Sequence, residues 1–263
     1  MTGRVIAIVP ARGGSVGVPR KNLQQVGGRT LVDRAVSAAR AAASIHDVVV
    51  STDDTEIAEE ARRAGAAVIA RPAELATATA SSESALLHAI AAHEVEPAIV
   101  VFLQATSPFI DPADLDAAVA RVAAGEADAV FAAVATPVFL WRPRATGGWE
   151  GVNHGPAVRL RRQDLPPQVA ETGAFYVLRA AGFRSARHRF FGRIEPQLTD
   201  ERFAIDVDTE ADLARARALA ALADPGLRAH DPAHGTVHDP ATAPATGSSP
   251  GPAAGATQEE NRR

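Results

Sequence analysis

Residues 10–22 read Pro-Ala-Arg-Gly-Gly-Ser-Val-Gly-Val-Pro-Arg-Lys-Asn, three glycines among fixed positive charges. Glycine lets backbone N–H groups approach an anion closely, and Arg12, Arg20 and Lys21 add cationic charge. The chemistry this suits is the holding of phosphates. It is neither GxxxxGK[ST] nor GxGxxG, and glycine content alone equally suits a flexible strand-to-helix connection. Of the 27 basic residues, 26 are arginine, and the single lysine, Lys21, falls in this loop. A codon-biased genome accounts for scarce lysine but not for where the one lysine sits.

A second constellation lies far away in sequence. Phe203-Ala-Ile-Asp-Val-Asp208 reads as a strand carrying Asp206 and Asp208 two residues apart. Alternate residues of a strand share a face, so the two carboxylates would face one hard cation. The competing reading is that Asp208 ends the strand or makes a turn. Paired with a phosphate loop elsewhere, the two favour Mg²⁺, which takes few carboxylates and completes its shell with phosphates and water. The eight histidines carry less. His88 and His93 are five apart on a helix, and the run His230, His234, His238 is interrupted by Pro232 and Gly235.

These groups need elements to position them. Val5-Ile-Ala-Ile-Val9, Asp47-Val-Val-Val-Ser51, Ala67-Val-Ile-Ala70, Ala98-Ile-Val-Val-Phe-Leu103 and 129–134 are short apolar runs with the character of buried strands. Between them, 30–43, 55–64, 82–93 and 112–124 carry helical spacing. Gly65 is placed as a C′ stop, and Asp111 as an N-cap before Pro112 at N1. This alternation predicts an α/β, doubly wound fold with a mostly parallel sheet. From 135 to 200 the segments shorten and Arg, Pro and Gly are frequent, which predicts an inserted arm serving the acceptor or a partner subunit. Thr209 is expected to cap a last helix, with Asp212 at N3. Residues 1–223 then form the domain, and 224–263, dominated by Ala, Pro, Gly, Thr, Ser and His, read as a disordered tail.

Composition sets the outer bounds. The 263 residues are 46% hydrophobic, enough to bury a core, and carry a net charge of −4, which suits neither nucleic acid nor an anionic membrane as partner. No cysteine is present, so disulfides, thiolate metal sites and a cysteine nucleophile are excluded. The apolar runs are strand-sized, and Met1 to Pro10 lacks a cleavable apolar region, so a cytoplasmic location is expected.

Several motifs in order carry a resemblance. Val9-Pro-Ala-Arg-Gly-Gly-Ser with Pro19-Arg-Lys-Asn22, Arg71-Pro-Ala-Glu-Leu-Ala76 with Ser81-Ser82, and Leu103-Gln-Ala-Thr-Ser-Pro108 come first. Arg162-Gln163, Thr172-Gly-Ala-Phe-Tyr176, Phe190-Phe191-Gly192 and Ile205-Asp-Val-Asp-Thr-Glu210 follow. Together they resemble the acylneuraminate (CMP-sialic acid) cytidylyltransferases, nucleotidyltransferases of Rossmann-like α/β fold. The resemblance implies CTP as substrate, with Ala11, Arg12, Gly13, Gly14, Ser15, Lys21 and Asn22 around its phosphates. It places Arg71 and Ser82 near cytidine or triphosphate, and Gln104, Thr106 and Ser107 at a strand end near the cytidylyl group. Arg12, Lys21 and Gln104 would take the catalytic roles. Arg142 or Arg144, with Arg162, would face an acidic acceptor, Tyr176, Phe190 and Phe191 would line its pocket, and Asp206 and Asp208 would bind Mg²⁺. Adjacent Phe190 and Phe191 would divide between core and pocket if they lie on a strand. A homodimer is implied too.

Three departures bear on this expectation. Val16 replaces a lysine of the family loop, and Arg20 is one candidate for the missing charge. Ala78 replaces an aspartate, and Thr172-Gly-Ala174 replaces Asn-Gly-Ala. They leave three readings: CMP transfer to a sialic-type 2-keto-3-deoxy sugar acid, CMP transfer to a small phosphonate, and a nucleotide-binding protein without catalysis.

Overall fold

The structure is a computed structural model that describes residues 3–15, 17–155, 157–158, 160–161 and 164–223. Val16, Arg162, the three tail histidines and the whole 224–263 tail lie outside the described residues. The chain runs β1 (Val5–Pro10), β2 (Gln25–Val26), β3 (Arg29–Thr30), α1 (Leu31–Ala41), β4 (Asp47–Thr52), α2 (Thr55–Arg63), β5 (Ala67–Ala70) and α3 (Ser82–Ala92). It continues β6 (Ile99–Leu103), α4 (Pro112–Ala123), β7 (Ala129–Ala135), β8 (Trp141–Pro143), β9 (Trp149–Gly151), β10 (Val169–Arg179), α5 (Ala180–Ala186), β11 (Ile194–Leu198) and α6 (Glu210–Ala223).

Seven strands form the central sheet in the order β11-β7-β10-β6-β1-β4-β5. Neighbours pair in parallel except β10, which runs antiparallel between β6 and β7. The chain leaves β1 toward β4 and β5, then returns to place β6 on the other side. This reversal opens a crevice beyond the carboxyl ends of β1 and β6, where doubly wound sheets bind ligands.

Helix ends follow the residues. Thr30, Asp54, Ser81 and Asp111 each accept a first-turn N–H with their side chains. Gly65 takes φ +91° just past α2, the left-handed stop its position predicts. One sheet face packs Val9, Val50, Val101, Leu103, Leu115 and Phe175. The other packs Ile6, Ile8, Phe102, Tyr176 and Phe183 with Leu86 of α3. A third cluster joins Val18, Leu31, Val207 and Leu213, so α6 fixes the phosphate-type loop and the Asp206–Asp208 stretch to one another.

Two expectations change. No strand forms over 203–208: Glu201–Phe203 is a turn of 3₁₀ helix, and beyond it Val207 N donates to Thr106 O at 2.9 Å without a ladder. The stretch instead alternates because Val207 is buried in the third cluster. The arm expected over 135–200 is also shorter. β10 and β11 belong to the central sheet, so the outlying part narrows to 136–168, around the β8–β9 hairpin. Among the described residues no helix is long and apolar enough to cross a membrane.

Candidate active site

The loop after β1 is held open by specific contacts. Ala11 is buried, and its N–H donates to Ser51 O at 3.0 Å. Asn22 is buried, and its amide donates to Arg12 O at 2.9 Å, tying the two ends of the loop together. Gly13 N donates to Asp53 Oδ1 at 3.1 Å, and a Cβ on Gly13 would meet Asp54 Oδ2 at 2.6 Å. A Cβ on Gly17 would stand 2.2 Å from the Asp208 carbonyl oxygen, whereas one on Gly14 would meet nothing. Gly13 and Gly17 are therefore demanded by close approach, while Gly14 faces open space.

A cleft of about 430 Å³ opens above this loop. Arg12, Ser15, Lys21 and Asn22 line it from the loop, Arg71 and Ser82 from β5 and α3, Gln104 and Thr106 from β6, and Asp206 and Asp208 from before α6. Ten of the residues singled out from sequence thus converge on one volume. Ser81 and the backbone around Thr77 complete it. In the sequence Ser81 enters only as part of the Ser81-Ser82 motif, with no role of its own, and Thr77 carries no reading.

The electrostatics are uneven. Arg12 Nη1 donates to Thr77 O at 2.6 Å, and Arg71 donates to Ser51 Oγ at 3.2 Å and Ser51 O at 2.5 Å. Among the described residues neither has a carboxylate within salt-bridge distance. Burial pulls the Arg71 pKa down, Asp53 opposes this, and the charge of Arg12 adds to it. An arriving polyanion would relieve that crowding. The first turn of α3, with Ser81 and Ser82 at the cleft, adds the positive end of a helix dipole. Arg20 instead pairs with Glu56 and does not line the cleft, so it does not replace the charge expected at position 16.

On the opposite wall Lys21 Nζ sits 2.8 Å from Asp208 Oδ1. Asp206 Oδ1 is buried with no hydrogen-bond partner among the described residues, and so is the Thr106 hydroxyl. Burial drives the Asp206 pKa up. The Thr106 hydroxyl pulls it down without closing a hydrogen bond, Asp208 pushes it up again, and Lys21 draws it down. A buried carboxylate oxygen without a partner, beside a second carboxylate, suits a hard divalent cation. Among the described residues no cluster of three or more metal-type ligands occurs.

The remaining singled-out residues lie elsewhere. Ser107 lines a neighbouring cavity of about 270 Å³ with Thr172 and Phe175, and its hydroxyl lacks a partner. Gly13 and Gly14 shape the loop without lining the cleft. Tyr176 is buried in the core, stacked on Phe102 with ring centroids 5.3 Å apart, and its hydroxyl donates to Glu171. Phe190 and Phe191 both pack on that same core cluster, because they lie in an irregular segment rather than on a strand. Arg142 is on the exposed hairpin, 2.6 Å from Glu150, with Arg144 3.3 Å from the same carboxylate. A bulge in β10 between Glu171 and Tyr176 brings Gly173, at φ +78°, against Gln104 and Asp206.

A family model described as "Cytidylyltransferase" matches residues 6–223. The chain belongs to the cytidylyltransferase family. It is 32% identical over 215 residues to N-acylneuraminate cytidylyltransferase A of Danio rerio, covering 79% of this chain and 49% of that protein. It is 28% identical over 211 residues to N-acylneuraminate cytidylyltransferase of Streptococcus agalactiae, covering 79% of this chain and 51% of that one. The chain thus spans about half the length of the curated relatives it matches. Among solved structures, a CMP:2-keto-3-deoxy-manno-octonic acid synthetase complexed with CTP superposes with a TM-score of 0.62 at 19% identity, over 83% of this chain and 99% of that one. A 4-diphosphocytidyl-2C-methyl-D-erythritol synthase from Anaerococcus prevotii gives a TM-score of 0.60 at 12% identity, over 82% and 96%. These two likenesses show the fold alone, a Rossmann-like α/β sheet with helices. The cytidylyltransferase match spans every wall of the cleft, from β1 through α6.

Proposed function

We propose that this chain transfers CMP from CTP to a small acidic acceptor and releases pyrophosphate. The observation that carries the reading is the convergence of Arg12 and Arg71, neither paired with a carboxylate among the described residues, with the first turn of α3 on one cleft that also holds Asp206 and Asp208. That arrangement suits a triphosphate with its metal. Arg12 and Lys21 would neutralise charge that grows on the leaving pyrophosphate. Lys21 reaches a phosphate by leaving Asp208. Gln104, at the end of β6 beside the Gly173 bulge, would orient the acceptor oxygen for in-line attack at the α-phosphorus. Asp206 and Asp208 would hold Mg²⁺, which supplies charge neutralisation across the phosphates.

The names of the relatives favour a sialic-type 2-keto-3-deoxy sugar acid as acceptor. One observation favours the second reading, a small phosphonate. Of the aromatic residues expected at the acceptor, Tyr176 lies in the core, Phe190 and Phe191 pack against it, and none lines the cleft, whose wall is polar. We further propose a cytoplasmic homodimer joined through the β8–β9 region, where Val138, Leu140, Trp141, Trp149 and Val152 are exposed. The function is tested by pyrophosphate release from CTP and Mg²⁺ against a panel of sialic-type sugars and small phosphonates. Turnover with either class supports cytidylyl transfer and identifies the acceptor. CTP binding without turnover across the panel would leave a non-catalytic nucleotide-binding protein.

A further inference from the structure

Behind the cleft lies a charged pair that the proposed chemistry does not use. Arg189, just before Phe190, projects under the sheet, and its guanidinium stacks 4.6 Å from the Tyr176 ring centroid and 5.0 Å from that of Phe102. Its Nε donates to Glu83 Oε1 at 2.7 Å. The two side chains are only 17% and 13% exposed. Burial pushes the Glu83 carboxyl up, but the hydrogen bond and charge of Arg189 outweigh it and hold the group below its ordinary range. A shielded ion pair seldom repays its own desolvation, and apolar residues of similar volume serve stability as well or better. Its placement therefore asks for another explanation.

Both ends of the pair lead to the cleft. Glu83 is in the first turn of α3, next to Ser81 and Ser82, which line the cleft. Arg189 lies on Tyr176, whose hydroxyl donates to Glu171, and Glu171 opens the bulge that sets Gly173 against Gln104 and Asp206. Phe102, the other ring under Arg189, is on β6, two residues before Gln104, which follows the strand's end. We infer that Arg189 is a positioning residue: through Glu83 on one side and the Tyr176–Glu171 link on the other, it holds the nucleotide-facing turn of α3 in register with the Gln104 wall. This rests on the reading of the cleft as a CTP site.

The test uses the full chain and CTP with Mg²⁺. Calorimetry gives the CTP dissociation constant, steady-state pyrophosphate release gives KM and kcat, and melting gives Tm. The variants are Arg189→Met, Arg189→Lys, Glu83→Gln and the double variant Glu83→Leu with Arg189→Met. Each single neutralisation is expected to weaken CTP binding about tenfold and to raise KM for CTP in step, with Arg189→Lys recovering part of the loss. The double variant restores an apolar-packed, folded protein yet stays about tenfold weak, since packing is regained without the charged link. CTP affinity within about twofold of wild type in the folded variants, whatever their Tm, overturns the inference and leaves the pair a stability element. Should the single variants not fold, the double variant alone decides by the same criterion. Wild-type chain that fails to bind CTP overturns the reading of the cleft itself and takes this inference with it, an outcome distinct from wild-type binding matched by the variants.

Discussion

The 12–22 loop and the 136–168 segment are both irregular, arginine-bearing stretches hung on one sheet, and they are finished to different degrees. The loop is built in. Val18 is buried in the cluster with Val207 and Leu213, Asn22 ties its ends, and Gly17 touches the backbone of Asp208. Nothing described from 136 to 168 enters the core. Its hairpin is ordered by its own contacts, with His154 against Phe139 and Trp141 and with Asn153 bridging to Val138 and Gln168. Both tryptophans of the chain are exposed there, and Arg142 spends its charge on Glu150 within the hairpin. The difference teaches that the loop wall of the cleft is packed within one chain, whereas the outlying segment carries apolar surface that nothing among the described residues covers.

The largest expected effect tests the packed wall. Arg12→Ala or Lys21→Ala should each lower kcat/KM for CTP by about 10³-fold, roughly 4 kcal/mol of transition-state stabilisation, with little change in Tm. Retained activity in both would mean that the cleft is not where charge develops, and the contrast between the walls would lose its functional meaning. The next effect is structural and lies inside the loop itself. Gly17→Ala forces a Cβ to within 2.2 Å of a backbone oxygen, while Gly14→Ala meets open space. Thermal unfolding should show about 1–3 kcal/mol of destabilisation for Gly17→Ala, and less than about 0.5 kcal/mol for Gly14→Ala. Equal effects would show that the loop is not seated on Asp208.

The same contrast governs what the sequence discloses. Strands β1, β4, β5 and β6 and helices α1 to α4 follow local signals: short β-branched runs, caps at Thr30, Asp54, Ser81 and Asp111, and a stop at Gly65. Local signals suffice there because apolar runs and helix caps are read from neighbouring residues whatever the distance to the sheet partner, which for Ile99 of β6 is Val5 of β1. β10 is different. It inserts antiparallel between β6 and β7, and its bulge at Gly173 breaks the alternation that would announce a strand. The cleft residues were legible where residue type alone implies chemistry, as at Arg12, Lys21, Asp206 and Asp208. The burial of Tyr176 under Arg189 was not, because only the packing of α3 and α5 on one face of the sheet brings Glu83 and Arg189 together.

A smaller effect sharpens the comparison from the other side. Trp149 is 64% exposed, so Trp149→Glu should leave Tm nearly unchanged in the isolated chain, within about 0.5 kcal/mol of stability. Sedimentation should nonetheless show a shift from dimer to monomer. A variant that stays dimeric would place the interface elsewhere and remove the reason for contrasting the outlying segment with the loop wall.

The smallest effect concerns what keeps the packed wall closed. Thr209 and Asp212 form a reciprocal cap on α6: Thr209 Oγ1 accepts from Asp212 N at 3.2 Å, and Asp212 Oδ2 accepts from Thr209 N at 2.9 Å and from its hydroxyl at 2.7 Å. These hydrogen bonds, with Arg215 adding its own, lower the Asp212 pKa to about 2. Because the folded value lies below the unfolded one, the cap's contribution is fully present above the ordinary carboxylate range and fades as pH falls toward about 2. Asp212→Asn keeps the shape but not the charge. It should melt slightly below wild type at neutral pH, and the gap should close as the acid limit is approached. α6 is the element that buries Val207 behind Asp206 and Asp208, so the same variant should loosen CTP binding slightly at neutral pH while leaving the β8–β9 hairpin untouched. A Tm gap that persists unchanged into acid would mean that the carboxylate's charge does not hold the cap, and that α6 closes the nucleotide wall through packing of Leu213 and Ala216 alone.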